Sequence, residues 1–319
     1  MKAAVLHELG KPPRCQDFLE PSPRAEEALI KVRAASLKPV DRQLAAGTHF
    51  ASPRELPAIC GTDGVGNLSD GSRVFFGGAR RPYGALAQQT VVPAAFCFPV
   101  PDTLDDATAA ALPNPGVSAL LSLNSRAKVA KGETVLILGA TGVTGTIAVQ
   151  IAKLLGAARV IGAGRNPAAL ERLRELGADA TIQINQPEEE LKKEFAREAG
   201  EGGFSVIIDY VWGRPTELLL AAITRSEFAV INPETRLLQV GESAGPAISL
   251  PAAVLRSTAL TILGTAGISP RETLVAAMKQ VLDWGAAGTV RIETEQIPLA
   301  DIDQAWTRTE RGRRLVVIP

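Results

Sequence analysis

Short apolar runs recur through the middle of the chain, at 135–138, 159–163, 180–184, 206–209, 236–240 and 260–264. Their spacing of roughly 25 residues is what a strand plus a crossover helix needs. Between the first two runs, Ile147, Ile151, Leu154 and Leu155 fall on one helical stripe. Between the second and third, Asn166 can cap a helix, Pro167 suits its first turn, Leu170, Leu173 and Leu176 make its stripe, and Gly177 can end it. The pattern predicts an α/β domain, a doubly wound parallel sheet over residues 116–267. Residues 1–115 read differently. Apolar runs at 3–6, 28–32, 74–76 and 91–92 are short and set between prolines and glycines. That predicts a compact, mostly antiparallel β module. A helical pattern from Ala107 to Ala111 is expected to stop at Pro113-Asn114-Pro115-Gly116, and a second helix to run from Val117 to Leu123. The domain boundary falls near Gly116. After Gly264 one more helix is expected over 270–285, then strands at 290–293 and 315–318. Residues 268–319 would complete the first module.

Composition narrows the class. The chain has 319 residues, 46% of them hydrophobic and 21% charged, with 34 basic and 34 acidic side chains. Zero net charge gives no reason to expect a nucleic acid or an anionic membrane as partner. Cys15, Cys60 and Cys97 are odd in number and widely spread, so no disulfide framework is implied. The opening MKAAVLHEL reaches a His and a Glu before a signal-peptide apolar region can form, and no apolar run approaches a membrane span. These features predict a soluble cytoplasmic protein.

Candidate chemistry concentrates in Gly139-Ala140-Thr141-Gly142-Val143-Thr144-Gly145, which joins the first apolar run to its helix. Strand, glycine turn and helix together make a phosphate-binding unit, because a helix N-terminus offers unpaired N–H groups and partial positive charge. Gly142 removes a Cβ from the path of the phosphates, and Gly145 lets helix and strand pack closely. The dinucleotide fingerprint is G-x-G-x-x-G, and here its first glycine is Ala140. The next strand tests the cofactor. It ends Gly164-Arg165-Asn166, without the Asp or Glu that accepts hydrogen bonds from ribose hydroxyls in an NAD site. Arg165 falls where a 2′-phosphate would sit, and guanidinium matches phosphate in shape and charge. NADP(H) is expected; the competing reading is an ordinary surface arginine at a helix start.

The whole chain, in order, resembles the zinc-independent quinone oxidoreductase (zeta-crystallin-like) branch of the medium-chain dehydrogenase/reductase superfamily. The segments that carry the likeness are Ser36-Leu37-Lys38-Pro39-Val40-Asp41, Gly61-Thr62-Asp63-Gly64-Val65-Gly66, Gly71-Ser72-Arg73-Val74, 109–118, 139–153, and the ending from Pro298 to Pro319. The resemblance implies a GroES-like catalytic domain and a Rossmann domain. It also implies NADPH-dependent reduction of quinones or other α,β-unsaturated carbonyls by a homodimer.

Zinc members carry a Cys where this chain has Lys38, and Gly-His-Glu where it has Gly61-Thr62-Asp63. An ammonium opposes a bound cation, His7 and His49 lack ligand-like neighbours, and no metal is expected. Cys60 beside Asp63 reads as a buried residue before a glycine turn rather than as a metal pair. Lys38 has three readings: it donates to the oxygen on which charge develops, it pairs with Asp41, or it points to solvent. The family commonly has a substrate-contacting Tyr shortly after the Gly matching Gly47, and here the residues are Thr48-His49-Phe50; His49 is either a proton donor or a structural loop residue, and Phe50 either a stacking surface or core. Lys38, Asp41 and His49 are thus the catalytic candidates. Cofactor contacts are expected from Thr141, Gly142, Val143, Thr144 and Gly145 at the pyrophosphate, and from Gly164, Arg165 and Asn166 at the adenosine ribose. Asn114, Ser118, Tyr210, Gly241, Thr265 and Ala266 complete the set. An enoyl-thioester reductase, and an NADPH-binding sensor or crystallin-like protein of low turnover, remain as alternatives.

Overall fold

The computed structural model describes residues 1–224, 234–265, 270–308 and 312–319. The chain divides into two units, residues 1–114 with 272–319, and residues 115–271.

The first unit is built on two sheets. Arg14–Asp17, Lys2–Leu6 and Ala58–Ile59 form a small antiparallel sheet. The larger sheet runs Thr294–Pro298, Arg314–Ile318, Glu27–Leu37, Asp63–Asn67, Arg73–Gly77, Cys97–Pro99, with Gln89–Pro93 also paired to Glu27–Leu37. Among the described residues of this unit, only the Thr294–Pro298 and Arg314–Ile318 pair is parallel. Glu27–Leu37 is the spine. It alternates at first, burying Ile30, Val32 and Ala34, then runs wholly buried from Ala34 to Leu37. Its last residues deliver Lys38 into the interior at the start of the helix Pro39–Ala46. Phe76, Leu86, Trp306 and Val317 join its apolar side chains in one core.

Where a glycine turn is expected after Cys60, Asp63–Asn67 is a strand, buried from Asp63 to Gly66. Its glycines serve close approach: a Cβ on Gly64 would lie 2.6 Å from the Ala34 carbonyl oxygen, and one on Gly66 2.5 Å from that of Lys31. Two further expectations are corrected. The first helix, Asp106–Ala111, ends before Pro113 as expected, but the second begins at Pro113 rather than Val117: Pro113–Leu120 is helical and continues as a π-helical turn, Leu121–Arg126. Both prolines sit in the first turn, where the missing N–H has no intrahelical acceptor to lose. The strand expected at 290–293 lies at Thr294–Pro298, because Val290 and Ile292 pack into the core from an irregular segment and the more polar TEQIP makes the ladder.

Among the described residues the second unit holds six parallel strands, here β1 (Thr134–Leu138), β2 (Arg159–Gly164), β3 (Ala180–Gln183), β4 (Val206–Asp209), β5 (Thr235–Gln239) and β6 (Leu260–Gly264). Their order in the sheet is β3-β2-β1-β4-β5-β6. All six match the apolar runs. Strands buried on both faces need continuous apolar sequence, and Val135 to Leu138 and Val206 to Ile208 are fully buried. The order reverses beside β1. Right-handed crossovers then place helices on opposite faces, and the loops after β1, β2, β4, β5 and β6 leave the carboxyl edge of one sheet. This is the Rossmann arrangement, and the first unit is the GroES-like one.

Candidate nucleotide and substrate sites

The glycine turn after β1 has the geometry of an anion cradle. Gly139 adopts φ +82°, which turns the chain sharply at the strand end. The Ala140 N–H then donates to the Ala163 carbonyl at 2.9 Å, holding the loop against β2. Gly142 is the N-cap of the helix Val143–Leu154, and no side chain caps it. A Cβ on Gly145 would lie 2.3 Å from the Gly139 oxygen and 2.6 Å from Ala140 Cα, so any side chain there pushes the helix off the loop. Gly142 is different. Its φ is an ordinary −80°, and a Cβ would meet only the Gly139 oxygen, at 3.3 Å. The fold makes a weak demand for glycine at 142; a phosphate seated on the helix mouth makes a strong one.

Thr141 and Gly164 belong to one surface. A Cβ on Gly164 would lie 2.4 Å from Thr141 Cγ2, so glycine at the end of β2 is what admits the threonine. Arg165 follows, exposed, with no hydrogen bond or ion pair among the described residues. Asn166 is engaged as the helix cap, its side-chain oxygen accepting the Ala169 N–H at 3.3 Å. Asn114 and Ser118 are exposed and one turn apart on the helix Pro113–Leu120.

The ends of the other strands carry the remaining candidates. Tyr210 follows β4, its hydroxyl buried without a hydrogen-bond partner among the described residues, and burial pushes the phenol above its ordinary range. Gly241 follows β5 and packs on Tyr210; a Cβ there would lie 2.8 Å from the Tyr210 carbonyl oxygen. Thr265 is exposed just after β6. Ala266 lies outside the described residues.

In the first unit Lys38, Asp41 and Asp63 form a buried ion cluster. The Lys38 ammonium donates to Asp63 Oδ1 at 2.8 Å, to the Ser36 carbonyl at 2.9 Å and to Ser36 Oγ at 3.2 Å, and lies 3.3 Å from Asp41 Oδ2. The same Asp41 oxygen accepts the Lys38 backbone N–H at 2.8 Å, closing the first turn of the helix Pro39–Ala46. The Lys38 side chain is wholly buried. Donation from Lys38 to a substrate oxygen is therefore corrected: its protons are spent inside the fold, and the ion-pair reading holds, with Asp63 joining Asp41. Sequence reasoning missed Asp63 as the principal partner. Burial pushes the Asp63 carboxyl up against the pull of Lys38. Arg314 lies close enough to act on both carboxylates and donates to the Leu37 carbonyl at 3.2 Å.

Asp41 Oδ1 has no partner among the described residues, and Asp41 lines a cavity of about 20 Å³, room for one water. Cys60 lines the same cavity. Burial, reinforced by the Asp41 carboxylate, pushes its thiol up to about 12. Thiolate is the reactive form, so Cys60 is expected to ignore a disulfide reagent such as DTNB at mildly alkaline pH in the folded protein. Denaturation should then release one thiol more than the native count; a native count of all three cysteines would contradict the burial.

His49 and Phe50 lie on the loop after that helix. Their rings stack with centroids 4.3 Å apart, and Phe50 is 96% exposed, so it is not core. His49 Nδ1 accepts the Ala51 N–H at 3.1 Å, which leaves the proton on Nε2. That nitrogen is a donor.

A family model for zinc-binding dehydrogenases matches residues 143–286. The quinone oxidoreductase of Rattus norvegicus is 30% identical over 226 residues, 66% of this chain and 66% of that one. The NADPH-dependent alkenal/one oxidoreductase of Arabidopsis thaliana is 30% identical over 186 residues, 53% of this chain and 48% of that one, so the match spans about half its length. The quinone oxidoreductase of Thermus thermophilus, solved also in complex with NADPH, superposes over 100% of both chains at 27% identity with a TM-score of 0.80.

The zinc in the matched family's description can be tested against the residues. Zinc takes three or four ligands from Cys, His, Asp or Glu. Among the described residues no group of three or more such side chains is placed to hold a metal. The oxygens of Asp63, Asp41 and Ser36 already surround an ammonium. The residues do not fit zinc. On its sequence, its two folds and these relatives, the chain belongs to the zinc-independent, quinone oxidoreductase-like branch of the medium-chain dehydrogenase/reductase superfamily.

Proposed function

We propose that this protein is an NADPH-dependent reductase that delivers hydride to a quinone or another α,β-unsaturated carbonyl without a metal. One observation carries the reading: a helix mouth capped only by Gly142, with an unpaired, exposed Arg165 one strand away. Backbone N–H groups from Thr141 to Gly145 suit the pyrophosphate, and Arg165 suits the 2′-phosphate. Asn114, Ser118, Gly164, Tyr210, Gly241 and Thr265 would hold the rest. The bound reduced nicotinamide supplies the hydride. Names of the rat, plant and Thermus relatives support both the substrate class and the cofactor. On the substrate side Lys38 and Asp41 support the loop from within, and His49 and Phe50 face outward with free chemistry. Phe50 offers an aromatic face to a planar quinone, and His49 Nε2–H can donate to an oxygen gaining negative charge. A cytoplasmic homodimer is part of the proposal.

The test is a fluorescence titration with NADPH, then NADPH oxidation against 1,4-benzoquinone, 9,10-phenanthrenequinone, an alkenal and crotonyl-CoA. Turnover with quinones or the alkenal is expected. Saturable binding without turnover would favour a sensor, and preference for crotonyl-CoA an enoyl-thioester reductase. Absence of binding would remove the hydride source and with it the proposal.

A further inference from the structure

Asp209, the last residue of β4, is fully buried in the second unit. Its Oδ1 accepts the N–H groups of Val211 and Trp212, both at 2.8 Å, and its Oδ2 accepts the Thr216 hydroxyl at 2.5 Å. Its backbone carbonyl accepts the N–H groups of Val240 at 2.8 Å and Gly241 at 3.1 Å, at the end of β5. One residue thus fixes its own turn and the neighbouring strand end.

That turn resists its conformation. Trp212 has φ +54° and ψ −163°, a region where a Cβ is strained and which glycine alone enters readily, and Gly213 follows at φ +62°. Two N–H groups converging on one carboxylate oxygen hold the chain there. The turn in turn abuts the glycine loop. A Cβ on Gly139 would lie 3.0 Å from Val211 Cγ1 and 3.1 Å from Tyr210 Cβ, so these side chains touch the residue that opens the loop. Gly139 is also the acceptor for the Gly142 N–H, at 3.0 Å. Contacts therefore run unbroken from the Asp209 carboxylate through Val211 and Tyr210 to Gly139 and the helix mouth at Gly142.

We propose that Asp209 is a positioning residue for the cofactor: by holding Tyr210 to Gly213 in a strained turn against Gly139, it pre-sets the loop that receives the pyrophosphate. The proposal rests on the NADPH reading above. Asp209 touches no phosphate itself; it fixes the backbone on which the donors are mounted, and a donor displaced by a fraction of an ångström loses much of its bond.

Asp209→Asn keeps the size of the side chain but removes its charge: the amide oxygen takes the place of Oδ1, the NH₂ faces the Thr216 hydroxyl, and the Val211 and Trp212 N–H groups lose a charge-assisted acceptor. The NADPH Kd is expected to rise about tenfold, what one lost charge-assisted hydrogen bond is worth. The KM for quinone should stay within about twofold, because the substrate residues proposed above lie in the other unit. Adding Trp212→Gly to Asp209→Asn should recover most of the lost affinity, since glycine holds φ +54° without the clamp. A purely structural Asp209 gives a different pattern: Tm falls, and the Kd of the folded fraction does not move. That pattern overturns the proposal, as does a double variant that binds no better than Asp209→Asn. If Asp209→Asn does not fold, Thr216→Val removes one donor and leaves the carboxylate; its Kd should rise about threefold, and an unchanged Kd counts against the proposal. Wild-type protein that fails to bind NADPH sinks the cofactor reading instead, so the two failures are distinct.

Discussion

Lys38→Met is expected to cost about 3–5 kcal/mol of stability near neutral pH, the range seen when one partner is removed from a buried ion pair. The ammonium sits among oxygens of Asp63, Asp41 and Ser36 with its side chain wholly buried. Methionine matches its length and packs with the neighbouring core, so the loss is electrostatic rather than a cavity. Two carboxylates would remain, with Arg314 drawn to both and Arg42 to Asp41. The sign of the pH dependence follows. Burial already raises the Asp63 carboxyl, and Lys38 is the largest influence holding it down. Without Lys38 it climbs further. An acid whose folded value is raised contributes stability below its unfolded value, and that stability is lost as pH rises through the folded one. The deficit of the variant should therefore be largest near neutral pH and smaller at mildly acidic pH, where the raised Asp63 carboxyl takes up its proton. Urea midpoints at the two pH values measure it. Lys38→Met/Asp63→Asn should recover part of the loss, because it removes one of the stranded charges. A Lys38→Met variant as stable as wild type, yet with a collapsed kcat, would return Lys38 to the role of substrate donor.

Periodicity exposed the second unit almost completely, for a physical reason. Parallel strands buried on both faces must be continuously apolar, so β1, β2 and β4 announce themselves, and Asn166, Pro167 and Gly177 punctuate a helix as local chemistry requires. The first unit hid more. Asp63–Asn67 carries two glycines in five residues and reads as a turn, although they are there because the neighbouring backbone leaves no room for Cβ atoms. The pairing of Lys38 with Asp63 spans 25 positions and depends on two strands lying side by side, which no local pattern encodes. Lys38 and Asp41 are three apart on one helix start, so that pair was legible. The same division holds in the nucleotide unit. Gly142 and Gly145 declare themselves by spacing, whereas the grip of Asp209 on Val211 and Trp212 appears only once a tryptophan is found at positive φ.

Arg165→Asp is expected to raise the KM for NADPH about thirtyfold to hundredfold while changing the KM for NADH little or lowering it. The estimate takes about 2–3 kcal/mol for exchanging a charge-assisted contact for a repulsive one. Arg165 suits the role because nothing in the fold uses it. It is exposed, it makes no ion pair among the described residues, and it stands after Gly164, whose missing side chain admits Thr141 of the glycine loop. A cation at the start of the helix Pro167–Glu175 opposes the helix dipole, so the arginine is mildly unfavourable until an anion arrives. Aspartate inverts both relations. It would favour the helix start and offer a ribose hydroxyl an acceptor, while repelling a 2′-phosphate. Stability should stay the same or rise slightly, which separates this variant from any that damages the fold. Steady-state kinetics with both coenzymes decide the matter: an unchanged ratio of kcat/KM for NADPH over NADH would mean that Arg165 does not meet the phosphate, and the choice of cofactor would have to come from elsewhere on the edge beyond β2.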